Sequence, residues 1–393
     1  MIFASVETRH NMKRIILLFS LFVIIASSAQ VSAQLDTISS VFGKGIRFVA
    51  RDSSFYVKFG FRIQPNFTAR YTDAFEGEPS LLEQRFVIRR SRLKLDGWAF
   101  SPKLAYKFEY DLVGGFIRDA VVKWNFAGKF KLWVGQAKLP GNRQRVISSQ
   151  KQQFVERSLM NIMYNIDRDV GVQLHHDFML GKSQIKWALS VAQGDGIIYK
   201  GWGEGLDYTA RLEWLPFGKF MKNGDYFEAD LLREQTPKLA IGATYDFNEK
   251  AFQDRGQWGF VLEEERDMQA IFVDAILKYR GISVLGEYSA KSTPNGSPAI
   301  TDTTGAVTSS FITGTGYNVQ LGYVFKCNWE VAGRYSIADY EEATERPDEA
   351  EYTFAISKYL VGHSLKIQFD TSLLTEVDNP DTYRARLQME LAF

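Results

Sequence analysis

The chain has 393 residues, with 47 basic against 46 acidic side chains, one cysteine and 14% aromatic residues, among them 30 Phe and 18 Tyr. A net charge of +1 provides no global basic field for nucleic acid, and the lone Cys327 rules out a disulfide framework. The mean hydropathy of −0.20 looks like that of a soluble protein but says little about a transmembrane barrel, whose apolar band occupies alternate residues only.

Residues 12–33, "MKRIILLFSLFVIIASSAQVSA", carry Lys13 and Arg14, then an apolar run from Ile15 to Ala26, then small residues at Val31-Ser32-Ala33. This is the pattern of a cleaved export signal, and the run is too short to span a bilayer as a helix. Residues 1–33 are therefore expected to be a signal peptide, with translation starting at Met12 as an alternative to Met1. Its removal takes away Arg9, Lys13, Arg14 and Glu7, which leaves the mature chain near neutrality. Residues 34–54 form a lead-in.

From residue 55 onward the chain alternates with period two, the pattern of strands with two different faces. Phe55, Val57, Phe59, Phe61 and Ile63 oppose Tyr56, Lys58, Arg62 and Gln64. In "FVIRRSRLKLDG", Val87, Leu93 and Leu95 oppose Arg90, Arg92, Lys94 and Asp96, with Arg89 out of phase and assigned to a rim. Next, Leu104, Tyr106, Phe108, Tyr110 and Leu112 oppose Lys103, Lys107, Glu109 and Asp111. Ala120, Val122, Trp124 and Phe126 then alternate with Asp119, Lys123 and Asn125, and Phe130, Leu132 and Val134 with Lys129, Lys131 and Trp133. Comparable segments follow near 167–178, 184–193, 206–216, 236–247, 267–279, 281–290, 315–325, 328–337, 350–359, 362–372 and 381–393. The total is about sixteen strands.

The joints sort by length. With the first strand rising from the periplasm, the joints on that side are tight: Phe100-Ser101-Pro102, Ala127-Gly128, Leu180-Gly181, Arg280-Gly281, Lys326-Cys327 and Val361-Gly362. Those on the other side are mostly long, at 71–83, 139–166, 194–205, 248–266, 291–314 and 338–349. Short turns at one rim and long loops at the other are the anatomy of an outer-membrane barrel. Residues 217–235 break the rule, being long on the short side. The expected fold is all-β: a transmembrane antiparallel β-barrel of about sixteen strands over residues 55–393, apolar towards lipid and charged towards an aqueous lumen.

At this point "RRSRLKLDG", "YKFEYDL", "VGQAKLP", "ISSQKQQFVERS" and "RDVGVQL" together resemble the phosphate-selective porins O and P. That resemblance runs from about residue 50 to the C-terminus. It implies a sixteen-stranded outer-membrane barrel, usually a homotrimer, whose third long loop folds inward to constrict the channel. Here that loop is 139–166, and "KLPGN" stands where the family tends to carry an acidic residue and Phe-Gly around the proline.

The expected function is a porin for passive diffusion of small hydrophilic solutes, with a preference for phosphate or other anions if the inner bases dominate. The candidate pore-lining, anion-binding residues are Lys58, Arg62, Arg90, Arg92, Lys94, Lys107, Lys123 and Lys131, and in the constriction loop Arg143, Arg145, Lys151 and Arg157. Guanidinium and ammonium groups suit the task because they donate to phosphate or carboxylate oxygens. Against them stand Glu109, Asp111, Asp119 and Glu156. A mixed-charge wall without selectivity fits the near-neutral composition equally. No GxSxG elbow, P-loop or HExxH is present, His363 and Ser364 fall at a turn, and consecutive His175 and His176 point to opposite faces, so no catalytic residue, metal or cofactor is expected. Expected partners are outer-membrane lipids and small solutes. A secreted or surface β-protein that binds glycans or peptides is the alternative. An energised transporter would need a plug domain, for which the lead-in leaves no room.

Overall fold

The computed structural model describes residues 39–198, 201 and 203–393; the export signal expected over 1–33 lies outside them. Sixteen antiparallel strands follow one another: β1 (Phe55–Thr72), β2 (Leu81–Ala99), β3 (Ser101–Asp111), β4 (Phe116–Ala127), β5 (Phe130–Lys138), β6 (Arg168–Leu180), β7 (Ser183–Ala192), β8 (Asp207–Leu215), β9 (Lys238–Gln253), β10 (Val261–Tyr279), β11 (Ile282–Ser292), β12 (Gly314–Val324), β13 (Trp329–Tyr340), β14 (Glu349–Val361), β15 (Leu365–Glu376) and β16 (Thr382–Ala392). Each strand pairs with its neighbours in sequence, and β16 pairs with β1 from Thr382↔Thr72 to Ala392↔Arg62, so the sheet closes on itself. Closure leaves no open edge, which a sheet in hydrocarbon requires because no water is there to satisfy its backbone groups.

The two faces are inverted relative to a soluble sheet. In β8, Asp207, Thr209, Arg211 and Glu213 are buried, while Tyr208, Leu212 and Trp214 are 40%, 55% and 47% exposed. Trp124 and Trp329 also lie on the outer face, as girdle residues do. Charged side chains gathered inside and aromatic and aliphatic ones outside is the pattern of a barrel whose exterior is lipid.

The tight turns stand where the sequence put them. Gly128, Gly181, Gly281 and Gly362 take positive φ there, and at Gly281 a Cβ would lie 2.5 Å from the Val324 carbonyl oxygen. At the opposite rim the strands run further than alternation alone indicates: β1 and β2 pair as far as Thr72↔Leu81, and β9 and β10 continue through two register shifts to Gln253↔Val261. The loop 293–313 contains a small hairpin, Ala299–Thr301 with Val307–Ser310.

Two expectations need correction. Between β1 and β2 the register shifts from Gln64↔Arg90 to Pro65↔Ile88, leaving Arg89 as an extra residue in β2. Parity reverses across it. Val87 therefore pairs with the buried Asn66 on the inner face, and Phe86 and Ile88 take the outer one. Arg89 is half-exposed but is not set at a rim: it pairs with Glu156 of the inward loop at 2.5 Å. The second correction concerns the lead-in, which is part of the sheet: Ile46–Val49 pairs with Tyr56–Phe59 of β1, below the point where β16 ends.

Candidate functional site: the lumenal constriction

Residues 139–167 leave β5 and return as β6 after crossing the barrel interior. Helix α1 (Arg143–Val146), a 3₁₀ turn at Ser149–Lys151 and helix α2 (Leu159–Met163) give the segment its own backbone hydrogen bonds, and the Ser158 hydroxyl caps α2 by accepting from the Asn161 amide. Apolar side chains fix its far end: Leu159, Met160 and Tyr164 pack with Ile312 and Ala338, and Phe154 with Ala332 and Ala355.

Polar side chains from β10 to β16 satisfy what the loop leaves open. The Gln144 amide donates to Glu287 (2.8 Å), the Val155 amide to Asp370 (2.9 Å) and the Met160 amide to the Ser336 hydroxyl (3.0 Å). Arg143 donates to Asp274 at 2.6 Å. Arg62 forms a two-pronged pair with Glu390 (2.7 and 3.0 Å) and donates to Ser149 of the loop at 2.9 Å. Arg90 bridges Gln64 and Glu156. Burial raises the pKa of the Glu156 carboxyl, but Arg90 and Arg89 more than offset this and hold it at about 2.

The long turn on the short side, residues 216–237, also folds into the barrel. Lys278 donates to the Gly224 and Ala229 carbonyls, both at 2.8 Å, and Asp230 accepts from the Gly281 amide. Its Glu228 meets the constriction loop: the carboxylate accepts from the Gln153 amide (2.8 Å) and the Gln144 side chain (3.3 Å), while its own amide donates to the Lys151 carbonyl (3.1 Å). The sequence register therefore holds here, and the turn is an elaboration.

With the loop anchored to the β10–β16 wall and this turn beneath it, the remaining space lies against β2–β8. Two adjoining cavities open there, sharing Lys107, Lys138 and Val146. The smaller, about 260 Å³, is lined by nine bases, Arg92, Lys94, Lys107, Arg118, Lys138, Arg145, Lys151, Arg157 and Arg168, and by one acid, Glu109. The larger, about 500 Å³, lies on the short-turn side between β4–β8 and the inward turn.

The expected site residues divide by partner. Arg62, Arg90, Arg143 and Arg145 are paired with Glu390, Glu156, Asp274 and Asp167, and they hold the loop. Arg92 pairs with Glu109 at 2.8 Å, Lys107 with Asp119 at 2.6 Å and Lys131 with Asp177 at 3.6 Å. Lys58 lies across the sheet from Asp96, towards the short-turn rim and away from both cavities. Lys94, Lys123, Lys151 and Arg157 line the cavities with no carboxylate in ion-pair reach among the described residues; Lys123 and Lys151 instead lie over the rings of Trp133 and Phe227. Each carboxylate lining the cavities, Glu109, Asp119, Asp177 and Glu213, is in an ion pair.

Sequence reasoning missed Lys138, Arg118 and Arg168. Lys138 ends β5 and donates to the carbonyls of Val146 and Ile147, both at 3.1 Å. Its position just ahead of the inward loop is the signal that could have found it. Arg118 is the extra residue where the β3–β4 register shifts, which no local pattern marks. His175 and His176 do face apart: His175 is opposite Ala188, whereas His176 stacks on Phe130 at 4.0 Å.

No curated protein matches the sequence. Among solved structures, the outer membrane channel DcaP of Acinetobacter baumannii superposes with a TM-score of 0.55 at 14% identity, over 89% of this chain and 100% of that one. A loop L8 deletion mutant of OmpT, an outer membrane protein of Vibrio cholerae, gives 0.54 at 10% identity, over 86% and 100%. At these identities the likeness is one of fold. The family model described as phosphate-selective porin O and P matches residues 57–393. A closed sixteen-stranded barrel with a lipid-type exterior, an internal constriction and this family match agree, and the chain belongs to the phosphate-selective porin O and P family as a porin of the bacterial outer membrane.

Proposed function

We propose that this porin prefers anions, phosphate among them, and that selection occurs at the smaller cavity. The observation that carries the reading is the sorting of partners: the one acid of the smaller cavity, Glu109, is in ion pairs with Arg92 and Lys107, while Lys94, Lys138, Lys151 and Arg157 have no ion-pair partner among the described residues. An anion entering meets nine bases against that single paired carboxylate, and their donors replace part of its hydration. The near-neutral chain is compatible with this, because most lumenal acids anchor the loop rather than face the passage. The bases named from sequence divide accordingly: Lys94, Lys107, Lys151, Arg92 and Arg157 contact solute, and Arg62, Arg90, Arg143 and Arg145 shape the constriction. The functional assembly is a homotrimer, which rests on the family resemblance, and the mature chain begins after residue 33, which rests on the signal pattern.

Reversal potentials in planar bilayers under a KCl gradient, repeated with potassium phosphate, test the preference. Chloride and phosphate should permeate better than potassium. A reversal potential of cationic sign would refute the anion reading and leave the porin intact.

A further inference from the structure

We propose that the larger cavity is a resting site for organic anions with a flat aromatic body, distinct in chemistry from the polar constriction above it; this rests on the anion preference just described. The starting point is Trp133, whose indole is on the wrong face for a membrane girdle. The ladder places it opposite Lys123 on one side and Gln173 on the other, on the inner parity of β5. An indole facing a water-filled lumen forgoes the apolar burial that Trp usually obtains, so its position calls for a partner.

The surroundings indicate what that partner is. The Lys123 ammonium lies 3.6 Å from the indole centroid, and the His175 ring packs at 4.2 Å and fixes the indole plane. Trp133 Nε1 is buried and has no acceptor. Lys123 therefore rests on an aromatic face because no carboxylate is in ion-pair reach among the described residues. A carboxylate attached to a ring answers that arrangement: the carboxylate takes the Lys123 ammonium, and the ring takes its place over the indole. Val121, Ala137 and Leu139 give the same chamber an apolar side, and Tyr226 of the inward turn closes it from below. A volume of about 500 Å³ is within the range of small-molecule sites. The smaller cavity has no aromatic lining, and Val146 is its one apolar side chain, so it offers a ring nothing.

The test compares benzoate with acetate on the full barrel in planar bilayers, reading open-channel chloride current. The two probes share a carboxylate and differ in the ring. Benzoate should reduce the current at millimolar concentration where acetate does not, with Trp133→Ala weakening the benzoate effect about fivefold and Trp133→Phe retaining most of it. Equal effects of benzoate and acetate on the native channel would overturn the proposal, as would an unchanged benzoate effect in a folded Trp133→Ala barrel. The native comparison decides the matter even if that variant does not fold. Failure here with an anionic reversal potential leaves the anion preference standing; failure of that preference shows in the reversal potential itself.

Discussion

Replacing Lys94 by Gln separates selectivity from stability. Lys94 lines the smaller cavity without an ion-pair partner among the described residues. An anion in contact with the Lys94 ammonium would lie about 4 Å from it. At that distance a unit charge contributes about 1 kcal/mol in bulk water and about 4 kcal/mol at the effective dielectric of a protein surface. Because the passage holds water, the lower figure applies, and Lys94→Gln should reduce the chloride-to-potassium permeability ratio about fivefold. Glu109, which faces Lys94 across the ladder, keeps its ion pairs with Arg92 and Lys107, so the temperature at which the folded barrel loses its compact migration in detergent gels should change little. The assay is the zero-current potential across a bilayer with unequal KCl, measured for native and variant channels of verified gel mobility. A ratio unchanged within about twofold would mean that the passing ion does not approach this wall, and the assignment of the smaller cavity as the selective segment would be wrong.

Arg62→Ala should behave in the opposite way: it takes the ion-pair partner from buried Glu390 and leaves it the Gln64 amide and the facing Lys366, at a cost below the roughly 3–5 kcal/mol of a wholly orphaned charge, read as a lower midpoint in guanidinium unfolding, and an unchanged midpoint would show that the pair is not structural. Glu228→Ala removes the acceptor for two buried donors, each costing about 1–3 kcal/mol when unmet, and the loosened loop should give noisier single-channel current. Glu228→Gln keeps one of the two acceptor oxygens and should quiet the traces only in part; native-like traces for Glu228→Ala would remove Glu228 from its role. Because the Glu156 pKa is depressed to about 2, its tie to Arg89 and Arg90 is fully present above the ordinary glutamate value and is lost as pH falls through about 2. Conductance should therefore show no step from this tie between about pH 7 and 5, and a step in that interval that Glu156→Gln abolishes would contradict the depressed value.

The strands were legible because a pore wall separates two solvents, and period-two alternation records that separation in every segment from Phe55 to the C-terminus. Single-residue insertions were not. The extra Arg89 reverses the parity of Val87, yet nothing in "FVIRRSRL" marks where the ladder slips, since a bulge is a property of two strands together. Residues 217–235 stood out by length, but their direction depends on contacts such as Lys278 to Gly224 that join segments far apart in sequence. Charge balance is silent on the site for a related reason. A sum over the chain weighs Glu390 and Glu109 alike, although the first anchors a loop and the second faces the passage beside Arg92. Sequence counts charges without saying which of them are already answered.

The seam between the two ends of the chain has a bearing on assembly. Phe393 and Phe61 exchange backbone hydrogen bonds at 2.9 and 3.0 Å, and Ile46–Val49 occupies the adjoining stretch of β1 just below. The cylinder cannot close until β16 has paired with β1, so before that step the wall has a gap along Arg62–Thr72, while Ile46–Val49 already covers the adjoining Tyr56–Phe59.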